Sequence, residues 1–396
     1  MREDNTRHKC SACGTSPINH KLLLIGNFLN EVTDQFDTKI FNLSSTNRRR
    51  NFASLVEKIL FTGMSYIGIV RFNFDVEKAL TGRSKLIWEE AIRRDIHMSQ
   101  VVIFGKPIEL YKAKINNKVF YFESLPIPPW MNQGGYRWLD DKFILFNMLN
   151  ENSISVPKTK KTYLWKFAKG SFHELCKPVI IKPRHGSRGR HTTTNINTEE
   201  ELKNAFNLAK EITPSVVIQE HLHGSIYRAT VINGELVGFF RGDPPQITGD
   251  GKKTIREHIE NKNANRHEKL SEILINEDLL NFIKRQGQTI ETVPPLGTTI
   301  NLSAKTGRMY GSYTKEMLPE IHPRIHKIFQ KAGKIVEAPV AGFDLIMEDP
   351  TKDPDTQRWG IIECNSLPFI DLHYFAMEGP KINLAKNVWD LWNIKT

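Results

Sequence analysis

The sequence predicts a mixed α+β / α/β fold, and three observations predict it. The stretch 179–194, VIIKPRHGSRGRHTTT, is an apolar strand that ends on Lys182 and runs into a loop carrying Gly186, Gly189 and several cations. GIIECN at 360–365 is a second strand, and it sets Glu363 and Asn365 two residues apart on one face. Around them, short strands alternate with amphipathic helical patterns over much of the 396 residues. A cationic glycine loop can hold phosphates through backbone N–H groups and side chains. Glu and Asn on one strand face offer the oxygen ligands that Mg²⁺ prefers. Together they point to a nucleoside triphosphate site, which neither would establish alone.

The elements follow in order. Residues 1–20 read as a flexible tail. From 21 to about 125 the apolar runs KLLLIGNFL, YIGIVRF and VVIFGKPIELY alternate with the helical patterns SLVEKILF and KLIWEEAIRR, an α/β unit in which KVFYFESL could instead close a hairpin. PIPPWMNQGGYRW at 126–138 is a Pro- and Gly-rich connector. A helix is expected from near Asp140 to 150–152, burying Phe143, Ile144, Phe146, Met148 and Leu149. Thr198-Glu-Glu-Glu201 is a capping box opening a helix whose apolar face is Leu202, Ala205, Phe206, Ala209 and Ile212. VVIQEHL at 216–222 reads as a strand broken by Gly224, and Asn233-Gly234 marks a hairpin within 227–242. The charged segment 250–290 reads as helical, as does an amphipathic run from Ile321 to Ile335. AGFDLIME and WGIIECN then pair as antiparallel neighbours.

Composition narrows the function classes. With 39% hydrophobic and 25% charged residues the chain is an ordinary globular protein, long enough for two or three domains. Its net charge of +11 fits nucleic acid or a cleft for anionic small molecules. The charge is spread out, Arg48-Arg49-Arg50 being the only tight run, so nucleic acid is the less favoured partner. LLLIG at 22–26 is far shorter than the roughly eighteen apolar residues of a membrane span. Glu3 and Asp4 do not suit a secretory signal, and a cytoplasmic protein is expected. Four cysteines do not make a disulfide framework. Cys10 and Cys13 form one C-x-x-C beside His8, with His20 the other near imidazole. This leaves open a tail with two free thiols or a weak metal or redox site. Cys176 and Cys364 are expected in the core.

Lys182 in isolation could be a solvent-facing strand end, but the glycines that follow favour a cation aimed at phosphate. GDGKKT at 249–254 fails the P-loop pattern because Lys252 is followed by Lys253, and no kinase catalytic loop accompanies GSRG. Asp344 interrupts an apolar strand, and if its strand pairs with 359–365 it converges with Glu363 and Asn365. His221, His223 and His373 share no zinc spacing and read as structural or substrate-contacting.

From about 136 onward the chain resembles the ATP-grasp superfamily. It is most similar there to the ATP-grasp portions of cyanophycin synthetase and of bifunctional glutathione-synthesising enzymes. The matching segments are WLDDK, GSRGR after VIIKP, VVIQEHLHGSIYR, GDGKKTIREHI, TTINLSAKTG, EIHPRI, GFDLI and IIECNSLPFIDLH, in that order. The resemblance implies an ATP-grasp domain over 136–396 with a mobile small subdomain at about 155–220, preceded by an N-terminal α/β domain and connector over 21–135. It implies that Lys142 and Lys182 contact ATP phosphates, with Gly186, Ser187 and Gly189 in the loop that closes over them. Gln219, Glu220, His221 and Leu222 would line the adenine hinge; Arg228, Arg241 and Asn301 would face the transferred phosphoryl group. Asp344, Glu363 and Asn365 would hold two Mg²⁺ ions, with Mn²⁺ able to substitute. The implied activity is an ATP-dependent ligation of a small-molecule carboxylate, an amino acid or peptide, to an amine through an acylphosphate. The same chemistry in phosphotransferase form, and a nucleotide sensor, are the alternatives. Relatives are often dimers or tetramers. Ser225-Ile226-Tyr227 stands where relatives usually carry a ribose-binding acid, and no Mur-ligase-like domain is found, so polymer synthesis by the two-site cyanophycin scheme is not expected.

Overall fold

The computed structural model describes residues 10, 19–28, 69–131, 139, 142–184, 190–268, 270–284, 286–303 and 310–393. SLVEKILF, most of the connector and of the tail, and Gly186, Ser187 and Gly189 lie outside the described residues.

The apolar run KLLLIGNFL is helical: α1 covers 20–28. Its consecutive leucines favour helix, whereas strands prefer β-branched residues. The N-terminal unit follows as β1 (Val70–Asn73), α2 (Gly82–Arg93), β2 (His97–Ile103), β3 (Lys106–Ile115) and β4 (Lys118–Glu123). Among the described residues from 69 to 125 the expected alternation is realised as the helix α2 with four strands in the antiparallel order β1-β2-β3-β4. KVFYFESL does close a hairpin, through Asn116 and Asn117, both with positive φ as its two-residue turn requires.

The next unit comprises α3 (Lys142–Glu151), β5 (Thr159–Thr162), α4 (Trp165–Glu174), β6 (Val179–Pro183), β7 (Thr193–Ile196), α5 (Glu199–Lys210) and β8 (Val216–Glu220). Its sheet runs β5-β8-β6-β7, and α4 and α5 seal one face around Val179, Ile181, Phe206 and Ile218. The Thr198 capping box forms as read, with both reciprocal hydrogen bonds made. Cys176 is exposed, contrary to expectation, because it lies in the turn after α4; Cys364 is buried.

The largest sheet uses β9 (Ser225–Ile232) and β10 (Glu235–Gly242). The chain then passes through β11 (Gln246–Thr248), α6 (Ile255–Ala264), α7 (Glu277–Lys284) and β12 (Thr299–Asn301) before returning as β13 (Thr314–Glu316). After α8 (Pro323–Val336) come β14 (Val340–Met347), β15 (Gly360–Asn365), the single turn α9 (Asp371–Tyr374) and α10 (Leu384–Asp390). The sheet order is β13-β10-β9-β14-β15. The charged segment 250–290 holds two short helices rather than one continuous one. One face of the large sheet packs on α8 and α3 through Tyr227, Phe239, Phe329 and Phe343. α10 packs against α2, with Trp389 Nε1 donating to the Ile87 carbonyl at 2.9 Å and Trp392 Nε1 to the Pro126 carbonyl at 2.6 Å. The N-terminal sheet and the C-terminal helix therefore share one apolar cluster, which also takes in Ile232 and Val340. Among the described residues no helix is long and apolar enough to cross a membrane.

Candidate functional site

β6 alternates as a half-buried strand must: Val179 and Ile181 enter the core under α5, leaving Ile180 and Lys182 on the other face. Lys182 Nζ donates to Gln219 Oε1 at 2.7 Å, and Gln219 Nε2 donates to Thr159 Oγ1 at 2.9 Å. The ammonium also sits 5.7 Å from the centre of the Phe146 ring. Burial pulls the Lys182 pKa from 10.5 down to about 7, with Lys142 adding to the fall and Glu363 opposing it.

The opposing face belongs to the large sheet. Asp344 lies opposite Arg228 on β9 and opposite Glu363 on β15, so all three side chains share that face. Arg228 grips Asp344 with both prongs, Nε at 2.7 Å and Nη2 at 2.8 Å. Burial works against the Arg228 charge, but Asp344 and then Glu363 outweigh it and hold the guanidinium above its ordinary pKa. Lys142, at the start of α3, approaches Glu363 to 3.7 Å. Asn365 lies opposite Gly342, two residues beyond Glu363. The structure thus brings Lys142, Lys182, Gln219, Arg228, Asp344 and Glu363 into one electrostatically connected group, with Asn365 at its edge.

Glu363 and Asn365 suit a hard divalent cation as oxygen donors on one strand face. Asp344 is differently placed, since both of its oxygens are already engaged by Arg228. At the end of β8, Glu220 is 4% exposed; its Oε2 meets Arg358 Nη2 at 2.5 Å, while Oε1 is buried without a hydrogen-bond partner. His221 Nδ1 is buried in the same way, and burial, then His223, lowers its pKa. Leu222 is also buried. Gly224 has φ +124°, and an added Cβ would sit 2.4 Å from the Met347 backbone, so the crossing between the two sheets needs glycine there.

Two expected residues are not drawn into the group. A two-residue turn at Asn233-Gly234, continued regularly, would pair Arg241 with Ile226 and put it on the face of Arg228. A bulge between Leu236 and Gly238 shifts the register, so Arg241 pairs with Tyr227 on the opposite face and binds Asp243 at 2.9 Å. Asn301 ends β12, and its carbonyl accepts from Gln286 at 2.8 Å within the β11–β12 unit.

A buried network under the site was not read as such from the sequence. His373 Nδ1 meets Glu316 Oε2 at 2.5 Å, and its Nε2 meets Thr230 Oγ1 at 2.7 Å; Glu316, Thr230 and His373 are all fully buried. Gly238 leaves room for this histidine, since a Cβ there would stand 2.5 Å from His373 Nδ1. Nearby Asp371 has its carboxyl pushed up by burial, countered by its own backbone N–H and by Arg83. Asp371 and His373 two residues apart after an apolar run were the available signal, but no spacing rule links them to Glu316.

No protein-family model matches the chain. It is 30% identical to cyanophycin synthetase of Synechocystis sp. over 222 residues, 54% of this chain and 25% of that protein. It is 33% identical to the cyanophycin synthetase of Geminocystis herdmanii over 223 residues, with the same coverage. The bifunctional glutathione biosynthesis protein of Clostridium perfringens is 27% identical over 262 residues, covering 64% of this chain and 34% of that protein. Among solved structures, a bifunctional glutathione synthetase from Pasteurella multocida superposes with a TM-score of 0.52 at 22% identity, over 78% of this chain and 44% of that one. This chain has the ATP-grasp fold. It spans about a quarter of the length of the cyanophycin synthetases it matches. Within the ATP-grasp frame, the Lys182 sheet and the Asp344 sheet are the two halves that meet across Lys142.

Proposed function

We propose that the chain is an ATP-dependent carboxylate–amine ligase that forms an amide or peptide bond through an acylphosphate, releasing ADP and phosphate. The observation that carries this reading is Lys182: a buried ammonium with a neutral amide as its hydrogen-bond partner, beside a second lysine, facing a carboxylate across the junction of two sheets. Two lysines so placed, one of them taking up a proton as the anion arrives, suit a polyphosphate. The buried Glu220 Oε1 suits an adenine amino donor.

In this reading Lys182 and Lys142 orient the phosphates, and Arg228 meets the charge that develops as the phosphoryl group moves to the substrate carboxylate. Glu363 and Asn365 would hold two Mg²⁺ ions, with Asp344 as the further ligand once Arg228 releases it. Bound Mg²⁺ supplies charge neutralisation at the phosphates. Burial of the site keeps water from the activated acid until the amine attacks. The acid is expected to be an amino acid or peptide carboxylate, and the amine a second small molecule.

The test is ADP release across panels of amino acids and small peptides, followed by hydroxylamine in place of the amine. A hydroxamate, and transfer of oxygen-18 from the acid carboxylate into released phosphate, are the expected results. A stable phosphorylated product without amide would replace the ligase by a phosphotransferase. ATP binding with no turnover across the panels would leave a nucleotide sensor.

A further inference from the structure

We propose a second metal site, for Zn²⁺, formed by Cys10, His20, His191 and Glu211 and separate from the nucleotide site. One ligand atom from each of these residues lies within 4.8 Å of all the others. Sulfur, two imidazoles and one carboxylate are a donor set for zinc and unsuited to Mg²⁺, which takes oxygen.

Two of the individual distances match a tetrahedron. With metal–sulfur at about 2.3 Å and metal–nitrogen at about 2.05 Å, a tetrahedral angle sets sulfur and nitrogen about 3.6 Å apart. Cys10 Sγ and His191 Nε2 are 3.7 Å apart. The same geometry sets a nitrogen and a carboxylate oxygen about 3.4 Å apart, and His20 Nδ1 and Glu211 Oε2 are separated by 3.4 Å. The longer separations, up to 4.8 Å, close by a movement of about an ångström, which the exposed Glu211 and partly buried Cys10 and His20 can make.

His191 is prepared for the role. It is fully buried, and its Nδ1 donates to the Leu208 carbonyl at 2.7 Å. That hydrogen bond fixes the tautomer whose lone pair is on Nε2, the nitrogen that faces Cys10. Metal-bound histidines are held in this manner, with the second nitrogen donating to a carbonyl or carboxylate. The His20 ring meets the His191 ring edge-on at 4.8 Å, and Asn27 Nδ2 donates to the Ile212 carbonyl at 2.7 Å, so α1 is already docked at this corner.

The position separates the two sites. Leu208 and Glu211 are on or just after α5, which covers the face of the small sheet opposite Lys182. His191 is two residues past Gly189, at the exit of the glycine-bearing loop. Zinc there would fasten Cys10 and α1 to the small sheet's helix layer, giving Cys10 a structural purpose that the ligation chemistry does not use.

The experiment is metal binding by the full chain in excess Mg²⁺, so that the oxygen-rich site is filled. Zn²⁺ should bind at one per chain in competition with a chromophoric chelator. Co²⁺ in its place should give the visible bands of a tetrahedral ion and a thiolate-to-cobalt charge-transfer band. Cys10→Ser should abolish that band and weaken Zn²⁺ binding at least about 100-fold, at the upper end of what loss of even a supporting residue costs. Glu211→Gln, on an exposed side chain, should weaken it about 10-fold with unchanged circular dichroism. Unaltered Zn²⁺ affinity in Cys10→Ser, an octahedral Co²⁺ spectrum, or no binding to the wild-type chain would overturn the site. ATP binding measured on the same variants keeps this test independent of the ligase reading.

Discussion

The two faces of the site solve the problem of buried charge in opposite ways. On the large sheet, Arg228 and Asp344 satisfy each other with two short hydrogen bonds. On the small sheet, Lys182 is held by Gln219, a neutral amide, and its pKa falls to about 7. A paired charge is content without ligand, whereas an unneutralised one lowers stability until an anion arrives. The large sheet is therefore the preformed half, and the small sheet the half that a bound anion would complete.

Mutations can break this contrast. The largest effect is expected on the paired side. Asp344→Ala leaves a mostly buried guanidinium without its carboxylate and should cost about 3 kcal/mol of stability in urea unfolding. The double variant Asp344→Ala/Arg228→Met should recover much of that loss. If the single variant is as stable as wild type, the pair is not what holds that face.

Glu363→Gln comes next. It keeps the shape, loses the charge near Lys142, and should lower ADP release at least about 100-fold with little change in melting temperature. Near-normal turnover by a folded variant would remove Glu363 from the site.

Lys182→Met should act on the ligand and not on the fold: ATP affinity falls about 10-fold or more while stability holds or rises. The pH dependence sharpens this. Between about pH 7 and pH 10 the unfolded chain keeps a lysine proton that the folded chain has released, so this group adds stability as pH rises through that window and adds none below it. ATP phosphates should draw the proton back. Titration calorimetry near pH 8 in buffers of different ionisation heat should therefore show proton uptake on ATP binding, absent in Lys182→Met and small near pH 6.

The smallest effect lies away from both charges. Thr198→Ala removes the N-cap of α5 and should cost about 1 kcal/mol without altering ATP affinity, separating stability of the small sheet's helix layer from ligand binding. A matching loss of affinity would mean the helix layer itself positions Lys182.

What the sequence made legible was local. The Thr198 capping box, the Asn233-Gly234 hairpin and the antiparallel pairing of Asp344 with Glu363 each depend on residues a few positions apart or on plain alternation. Arg241 shows where that reasoning stops. One extra residue in β10 moves it to the far face, and the only cue in the run ELVGFFRG is Gly238, an in-strand glycine that allows a bulge without fixing the register. The antiparallel order of β1 to β4 was equally hidden, because strand neighbours are chosen by tertiary packing. The clasp of Arg228 on Asp344 joins residues 116 positions apart, and its register emerges only once β9 and β14 are paired.

Trp389 of α10 and Trp392 just beyond it have a consequence for how the chain is made. Trp389 and Trp392 complete the apolar cluster that covers Tyr111 and Phe122 of the first sheet. A ribosome delivers residues 70–123 well before residue 392, so the first sheet, with α2 against it, keeps part of its apolar cluster uncovered until the segment 384–392 has emerged. Contacts so distant in sequence form slowly, and exposed apolar surface in the interval invites aggregation.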